Sequence, residues 1–359
     1  VDALLAPGGP WDRLVERGGA YPLFLRSGWM RAHRSVFAGS RRVVLAIAAD
    51  GPEGAGEWIA GGAFMLNRTR GEFCGSGPCD YLDVVVDRRV GPREAAGLKR
   101  GIVQAVCGAL GRGGELRLGN VPVESGTPEA LASSDEGLHS TVLRSHPAPT
   151  LDLEGAAKVL GSKHVRRCEN RLRRSGDATC RTFCEVSEVL PRLDAFFDQH
   201  VRRWSGTPSP SLFESEENRD FYRRLTRELS ETGVLRFTEL RLDGVLAAAH
   251  YGFCDGGRYV WYKPSYEPRM AELSPGVALI ARLVQRALEE GASELDFTIG
   301  DEAFKERYAT RRREVVDVAA TRSRLRAARL RTTLALRNGV KAGLRGVGAL
   351  EAARRLLGR

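Results

Sequence analysis

Leu273-Ser-Pro-Gly-Val-Ala278 has the make-up of a helix start, with Ser274 as N-cap and Pro275 as the first helical residue. A glycine-bearing loop that feeds a helix leaves backbone N–H groups unpaired at the positive end of the helix dipole. Both features favour a phosphate or pyrophosphate. The same residues also make an ordinary capped helix. Past the next apolar run, Asp301 and Glu302 stand either to take a proton from an acceptor or to satisfy a helix dipole. His250, within Ala247–Phe253, reads as a satisfied core histidine or as a base. Lys163, Arg167, Arg171 and Arg174 form one stripe of a helical segment, a surface suited to phosphates.

Other chemistries lack their residues. No GxGxxG follows a strand, so a nucleotide-dependent oxidoreductase is not indicated. Gly155–Lys163 has the wrong spacing for a phosphate-binding P-loop. The seven cysteines include no CxxC pair, and no metal site is expected; buried free thiols in a reducing compartment are the plain reading.

The 359 residues suffice for two cores. No apolar run reaches the ~18 residues of a membrane span, and the first ten residues lack a signal-peptide pattern, so a cytoplasmic location, peripheral at a membrane at most, is expected. The net charge is +10, yet from Arg322 to Arg359 there are eleven Lys or Arg and one acid, Glu351. The rest of the chain balances. Its basic character belongs to a C-terminal appendage.

The elements that must position these residues are legible in outline. Arg41–Asp50, Glu57–Leu66, Tyr81–Val86 and Glu115–Leu118 read as strands, Arg93–Gly111 as a helix and Val123–Gly137 as loop. Gly161–Arg174, Val186–Trp204 and Asn218–Glu231 read as helices. A meander follows over Val234–Leu242, Val245–Phe253 and Arg258–Pro264, with turns at Asp243-Gly244 and Asp255–Gly257. A helix from Pro275 to about Glu290 then feeds a strand at Glu294–Thr298. We therefore expect an α/β fold with mixed sheet and tandem lobes: residues 1–150, residues 151–321, and a basic amphipathic helical tail over 322–359, with Leu325, Ala328, Thr332, Ala335 and Leu336 as a weak apolar stripe.

The order helix, helix, three antiparallel strands, helix, strand is that of the GNAT fold. Over most of residues 21–320 the sequence resembles the cellulose-biosynthesis-type (CelD/BcsL) acetyltransferase family of the GNAT superfamily. The likeness rests on Phe24–Gly39, Cys79–Val86, Leu118–Val123, the basic helix from Ser162, Leu193–Trp204, Phe221–Leu229 and above all Tyr262–Tyr308. Gly300, Phe304, Lys305 and Tyr308 are also similar to an element of the Fem transferases, which have tandem GNAT-like lobes and use aminoacyl-tRNA. Coenzyme A-binding GNATs carry Gln or Arg where Leu273 stands here; Gly276 and Ala278 fit their pattern.

The resemblance implies an acyltransferase without a resident cofactor. Its expected co-substrate is an acyl-CoA, with aminoacyl-tRNA as the alternative. The acceptor is an amine or hydroxyl of a small molecule or glycan precursor, and a non-catalytic scaffold is the third reading. The donor would enter where Arg258–Lys263 and Glu294–Thr298 splay apart. Ser274, Gly276, Val277 and Ala278 would hold its phosphates, and Lys305, Asp301 and Tyr308 would serve catalysis. Tyr262, Phe304, Arg167 and Arg171 would bind substrate. The tail adds an anionic membrane surface as a partner.

Overall fold

The computed structural model describes residues 3–51, 56–111, 113–132 and 137–346. The chain forms two compact units, Val1–Ser145 with Glu314–Arg359, and His146–Arg313.

The first unit opens with α1 (Pro10–Gly18), α2 (Pro22–Leu25) and α3 (Ser27–Phe37). The Asp12 carboxylate accepts from the Ser27 N–H (2.8 Å) and hydroxyl (2.6 Å), which ties α1 to the start of α3. β1 (Arg42–Ala49) and β2 (Trp58–Leu66) pair antiparallel; β3 (Arg70–Phe73) adds to β2, as does the short β4 (Val85–Val86). α4 (Pro92–Ala109) crosses to β5 (Glu115–Pro122), which runs parallel to β3. The strand expected over Tyr81–Val86 exists only at its last two residues, because Leu82 donates to the Asn120 carbonyl at the edge of β5 (3.0 Å). Val123–Gly137 is not all loop. It contains a 3-10 turn and α5 (Thr127–Ala132), pulled inward by the Thr127 hydroxyl, which donates to partly buried Asp83 (2.5 Å). Residues 133–136 of that segment lie outside the described residues.

The second unit receives β6 (His139–Asp152) from His146 onward, then α6 (Ala156–Leu160), α7 (Lys163–Ser175) and β7 (Ala178–Phe183). Ser162 caps α7 by accepting from the Val165 N–H (3.3 Å), and Val165, Cys168 and Leu172 face the core as their spacing requires. The helix expected over Val186–Trp204 is broken by a 3-10 turn at Leu190–Arg192, where Pro191 removes a donor, into α8 (Val186–Val189) and α9 (Leu193–Trp204); α10 (Glu216–Glu228) follows. The meander is β8 (Leu235–Leu242), β9 (Val245–Asp255) and β10 (Arg258–Tyr266). Both hairpin turns have two positive φ angles, 50° and 77° at Asp243-Gly244 and 57° and 76° at Gly256-Gly257, the geometry of tight two-residue turns. α11 (Pro275–Glu289), β11 (Glu294–Asp296) and α12 (Ala303–Tyr308) complete the unit.

The strands of this unit run β7-β8-β9-β10-β11-β6, with only β10 and β11 parallel. Successive β9 residues feed opposite faces. Tyr251 joins the rings of Tyr222, Phe237 and Phe253, whereas His250 stacks on Trp261 in the layer that α11 covers.

β12 (Arg311–Thr321) passes from Glu314 into the first unit, where it pairs antiparallel with β5, and α13 (Arg324–Gly346) follows. The structural boundary thus differs from the one read at Thr321. The chain there is held by Val315↔Pro122 and neighbouring pairs, by the Thr321 hydroxyl on the Gly114 carbonyl (2.7 Å) and by Arg326 on Glu115 (2.9 Å). Residues 347–359 of the expected tail lie outside the described residues.

Candidate active site

β10 and β11 pair over three positions only, Arg258↔Glu294, Tyr259↔Leu295 and Val260↔Asp296. Beyond them the strands part. The chain after β11 turns towards β6, where the Phe297 and Gly300 N–H groups donate to Pro149 and Pro147 carbonyls (both 3.0 Å). Thr298 makes that turn at a positive φ of 57°, a strained conformation for a β-branched residue. β10 bulges on its other side between Val260 and Lys263. The bulge is served by His250, whose Nε2 accepts the Tyr262 N–H (3.1 Å). Full burial pushes His250 down to about 3, so the ring is neutral, with its proton on Nδ1. His250 is therefore a core histidine that shapes the bulge. A side chain at residue 252 would collide with it, its Cβ 1.9 Å from the His250 ring, which explains Gly252.

Below the splay lies a charge network that the sequence reading missed. Glu294, nearly buried, accepts from Arg313 (2.5 Å), Arg311 (2.6 Å) and Arg258. Burial alone would raise its pKa, but the hydrogen bonds from Arg313 and Arg258 outweigh that and hold it below the usual carboxylate range. Asp296 accepts the Thr298 N–H (2.7 Å) while Arg313 stands 3.6 Å away. A three-residue strand is thereby fixed where the sheet opens. The visible signal was the alternation of Arg311 and Arg313 ahead of an apolar strand.

At the start of α11, Ser274 occupies the N-cap position but does not cap with its side chain. It adopts a left-handed backbone (φ 54°, ψ 51°), and its carbonyl accepts from the Val277 (3.0 Å) and Ala278 (3.3 Å) N–H groups. Pro275 has no N–H. Among the described residues, Gly276 alone in this turn keeps an N–H without a backbone acceptor. Val277 and Ala278 contribute to the core instead. Two cations that the helix start alone did not announce flank it. Arg171 of α7 donates to the Glu272 carbonyl. Arg203 lies 4.4 Å over the Tyr266 ring, against which Gly276 packs, and pairs with no carboxylate among the described residues.

Phe304 and Tyr308 of α12 belong to the same apolar core of the second unit as Leu273, Val277 and Ala278. Phe304 stands 6.2 Å from Trp261 and 6.5 Å from Phe297, on the two diverging strands. Lys305 of α12 is buried. Its side chain is 6% exposed; Nζ donates to the Ile299 carbonyl (2.7 Å) and pairs with Glu302 (3.0 Å). Tyr308 is buried, stacked on Phe297 at 6.4 Å, and burial raises its phenol above the ordinary value. Asp301 is exposed and unpaired among the described residues. Tyr262 lies on the other face of the sheet, its hydroxyl 2.9 Å from that of Tyr222. Arg167 lines an open trough of about 550 Å³ on α7, with Lys163, Arg166, Asn170, Arg171 and Arg174. A separate cavity of about 340 Å³ between α7, β7 and α11 includes Ala278 but none of the other residues singled out from the sequence.

A parallel strand pair that opens beside a helix N-terminus is the donor-site geometry expected of the GNAT fold. Residues 161–306 match the family model described as the acetyltransferase (GNAT) domain. The second unit is a GNAT acyltransferase domain. The whole fold is similar to that of FemX, with TM-score 0.62 and 10% identity over 86% of this chain and 94% of that one. It is also similar to the C-terminal domain of a putative lysylphosphatidylglycerol synthetase from Agrobacterium fabrum (TM-score 0.54, 16% identity, 91% and 95% covered). L-PGS from Bacillus licheniformis gives TM-score 0.54 and 15% identity, with 94% and 98% covered. At these identities the likeness is one of fold. No curated protein matches the chain.

Proposed function

We propose that this GNAT domain, of the cellulose-biosynthesis type, transfers an acyl group from an acyl-CoA to an amine or hydroxyl of a small molecule or glycan precursor. The observation that carries this reading is the parting of β10 from β11 after Val260 and Asp296, with β10 continuing to Tyr266, where Gly276 packs and Arg203 lies over the ring. The Gly276 N–H and the α11 dipole, with Arg171 and Arg203, receive the donor phosphates. The thioester reaches into the splay. As the acceptor attacks the carbonyl, its proton passes to Asp301; the oxyanion collapses, the C–S bond breaks, and the thiolate is protonated from solvent. Lys305 positions the segment from Phe297 to Glu302, and Phe304 and Tyr308 line its apolar side.

Calorimetry with acetyl-CoA and longer acyl-CoAs tests the reading, with a micromolar complex expected. Gly276→Val should abolish it without unfolding the domain, because a Cβ there meets only the Tyr266 ring, at an ordinary 3.6 Å. Absence of any CoA complex defeats the proposal.

A second reading, aminoacyl-tRNA as donor, is favoured by α7. Lys163, Arg166, Arg167 and Arg174 are exposed and pair with no carboxylate among the described residues, so they remain open to phosphates beyond the three of a CoA. FemX and the lysylphosphatidylglycerol synthetases have this fold. Product formation that needs charged tRNA and is destroyed by ribonuclease would establish it.

A further inference from the structure

We propose that the outer face of α13 is a docking surface for an anionic lipid bilayer. The helix starts at a Ser323 cap and is held to the first unit by buried Ala327 and by Arg326 on Glu115. Its opposite face is bare. Leu325 is 77% exposed and Leu336 67% exposed. Eleven residues of helix bring them back to nearly the same angle, three turns and about 16 Å apart. Ala328, Thr332 and Ala335 lie along the interval. The Thr332 hydroxyl donates to the Ala328 carbonyl of its own helix (3.1 Å), so it makes no demand on a partner. The stripe read from the sequence as weakly apolar is therefore the side turned away from the protein.

The charges around it identify the partner. Arg324, Arg329, Arg331 and Arg337 are exposed, and among the described residues none pairs with a carboxylate. No acid occurs in the sequence from Arg322 to Leu350. A second copy of this helix would set arginine against arginine, and a nucleic acid would use the arginines but gain nothing from the leucines. An anionic bilayer uses both, with the leucines entering the acyl boundary and the arginines meeting headgroup phosphates. This inference does not depend on the acyl donor.

The test is co-sedimentation of the full chain with vesicles of phosphatidylcholine alone or mixed with phosphatidylglycerol, at low and high salt. Wild-type protein should bind the mixed vesicles, bind phosphatidylcholine poorly, and be released by salt. Leu325→Asp with Leu336→Asp should weaken partitioning about 100-fold, at roughly tenfold per leucine, with an unchanged melting temperature because both side chains are exposed. Arg329→Gln and Arg337→Gln should each weaken it about fivefold on mixed vesicles only. Three results would overturn the proposal: no binding of wild type to mixed vesicles at low salt, undiminished binding of the leucine variant, or a wild-type dimer in lipid-free buffer that the leucine variant dissolves. Binding to RNA that equals vesicle binding and ignores the leucines would assign the face to nucleic acid instead.

Discussion

Replacing Lys305 with Met separates the ammonium from its stem. Methionine keeps most of the buried aliphatic volume, so the loss is confined to what Nζ does. Nζ donates to the Ile299 carbonyl at 2.7 Å and pairs with half-exposed Glu302 at 3.0 Å. A hydrogen bond from a charged donor contributes about 1.5–3 kcal/mol, and the surface-facing ion pair adds about 0–1 kcal/mol. Relief from burying the ammonium offsets part of this, leaving a loss of about 2 kcal/mol. In a domain of this size that lowers the melting temperature by about 4–8 °C. The segment from Phe297 to Glu302 should also shift, and misplacement near 1 Å costs about 100-fold in turnover. Circular-dichroism melts and the rate of thiol release from acetyl-CoA would read the two effects, which should appear together; acetyl-CoA calorimetry reads donor binding separately. An unchanged melting temperature would refute the latch. If donor binding were lost at the same time, Lys305 would touch the donor directly.

Four further outcomes follow from the same geometry. Gly300→Ala places a Cβ 2.0 Å from a Glu302 carboxylate oxygen and 2.5 Å from Lys305 Nζ at a φ of 148°, so it should disrupt the same latch and weaken donor binding, read by calorimetry. Asp301→Asn should lower turnover about 100-fold at neutral pH with no change in melting temperature, since the side chain is exposed and only a base role would notice it. Arg313→Met leaves buried Glu294 short of a partner and should destabilise the second unit by about 3 kcal/mol in urea titration. His33, His200 and His250, with ordinary values near 6.5, are held by burial at about 4, 3 and 3 in the fold. The unfolded chain therefore binds more protons below pH 6.5, and stability should fall by roughly 4 kcal/mol in all between about pH 7 and pH 5.5, read as urea midpoints. Asp83, raised by desolvation, acts in the opposite sense, so the titration is repeated on Asp83→Asn, where a flat profile would mean the histidines are not buried neutral.

What the sequence disclosed were features whose causes are local. Asp243-Gly244 makes its hairpin because two adjacent residues accept positive φ, and Pro275 starts α11 because its ring is pre-set for a first turn. The inward row of α7 follows from a period of 3.6. Ser274 misled because an N-cap is chosen from residue type, whereas its side-chain bond depends on the backbone entering the helix, here left-handed. The inward setting of Lys305 was not legible because a lysine between Phe304 and Glu306 carries no mark of facing inward. Its partner Ile299 lies across a turn set by Thr298 and Gly300. β12 escaped because its partner β5 is about two hundred residues earlier, and pairing at such separation leaves no local pattern.

Net charge misled in a more instructive way. A body with equal acids and bases looks neutral, yet neutrality in a sum is compatible with strong local imbalance. The carboxylates of the second unit are largely committed: Asp194 and Glu216 to Arg223, Glu290 to Arg236 and Arg286, and Glu294 to three arginines at the base of the splay. Each acid so engaged is one that α7 lacks. Of its own acids only Glu169 is present, and it pairs with Arg282 of α11 at 3.3 Å. The exposed row Lys163, Arg166, Arg167 and Arg174 is thus uncompensated because the fold uses its acids elsewhere. A positive field along α7 arises from pairing geometry, which composition does not contain.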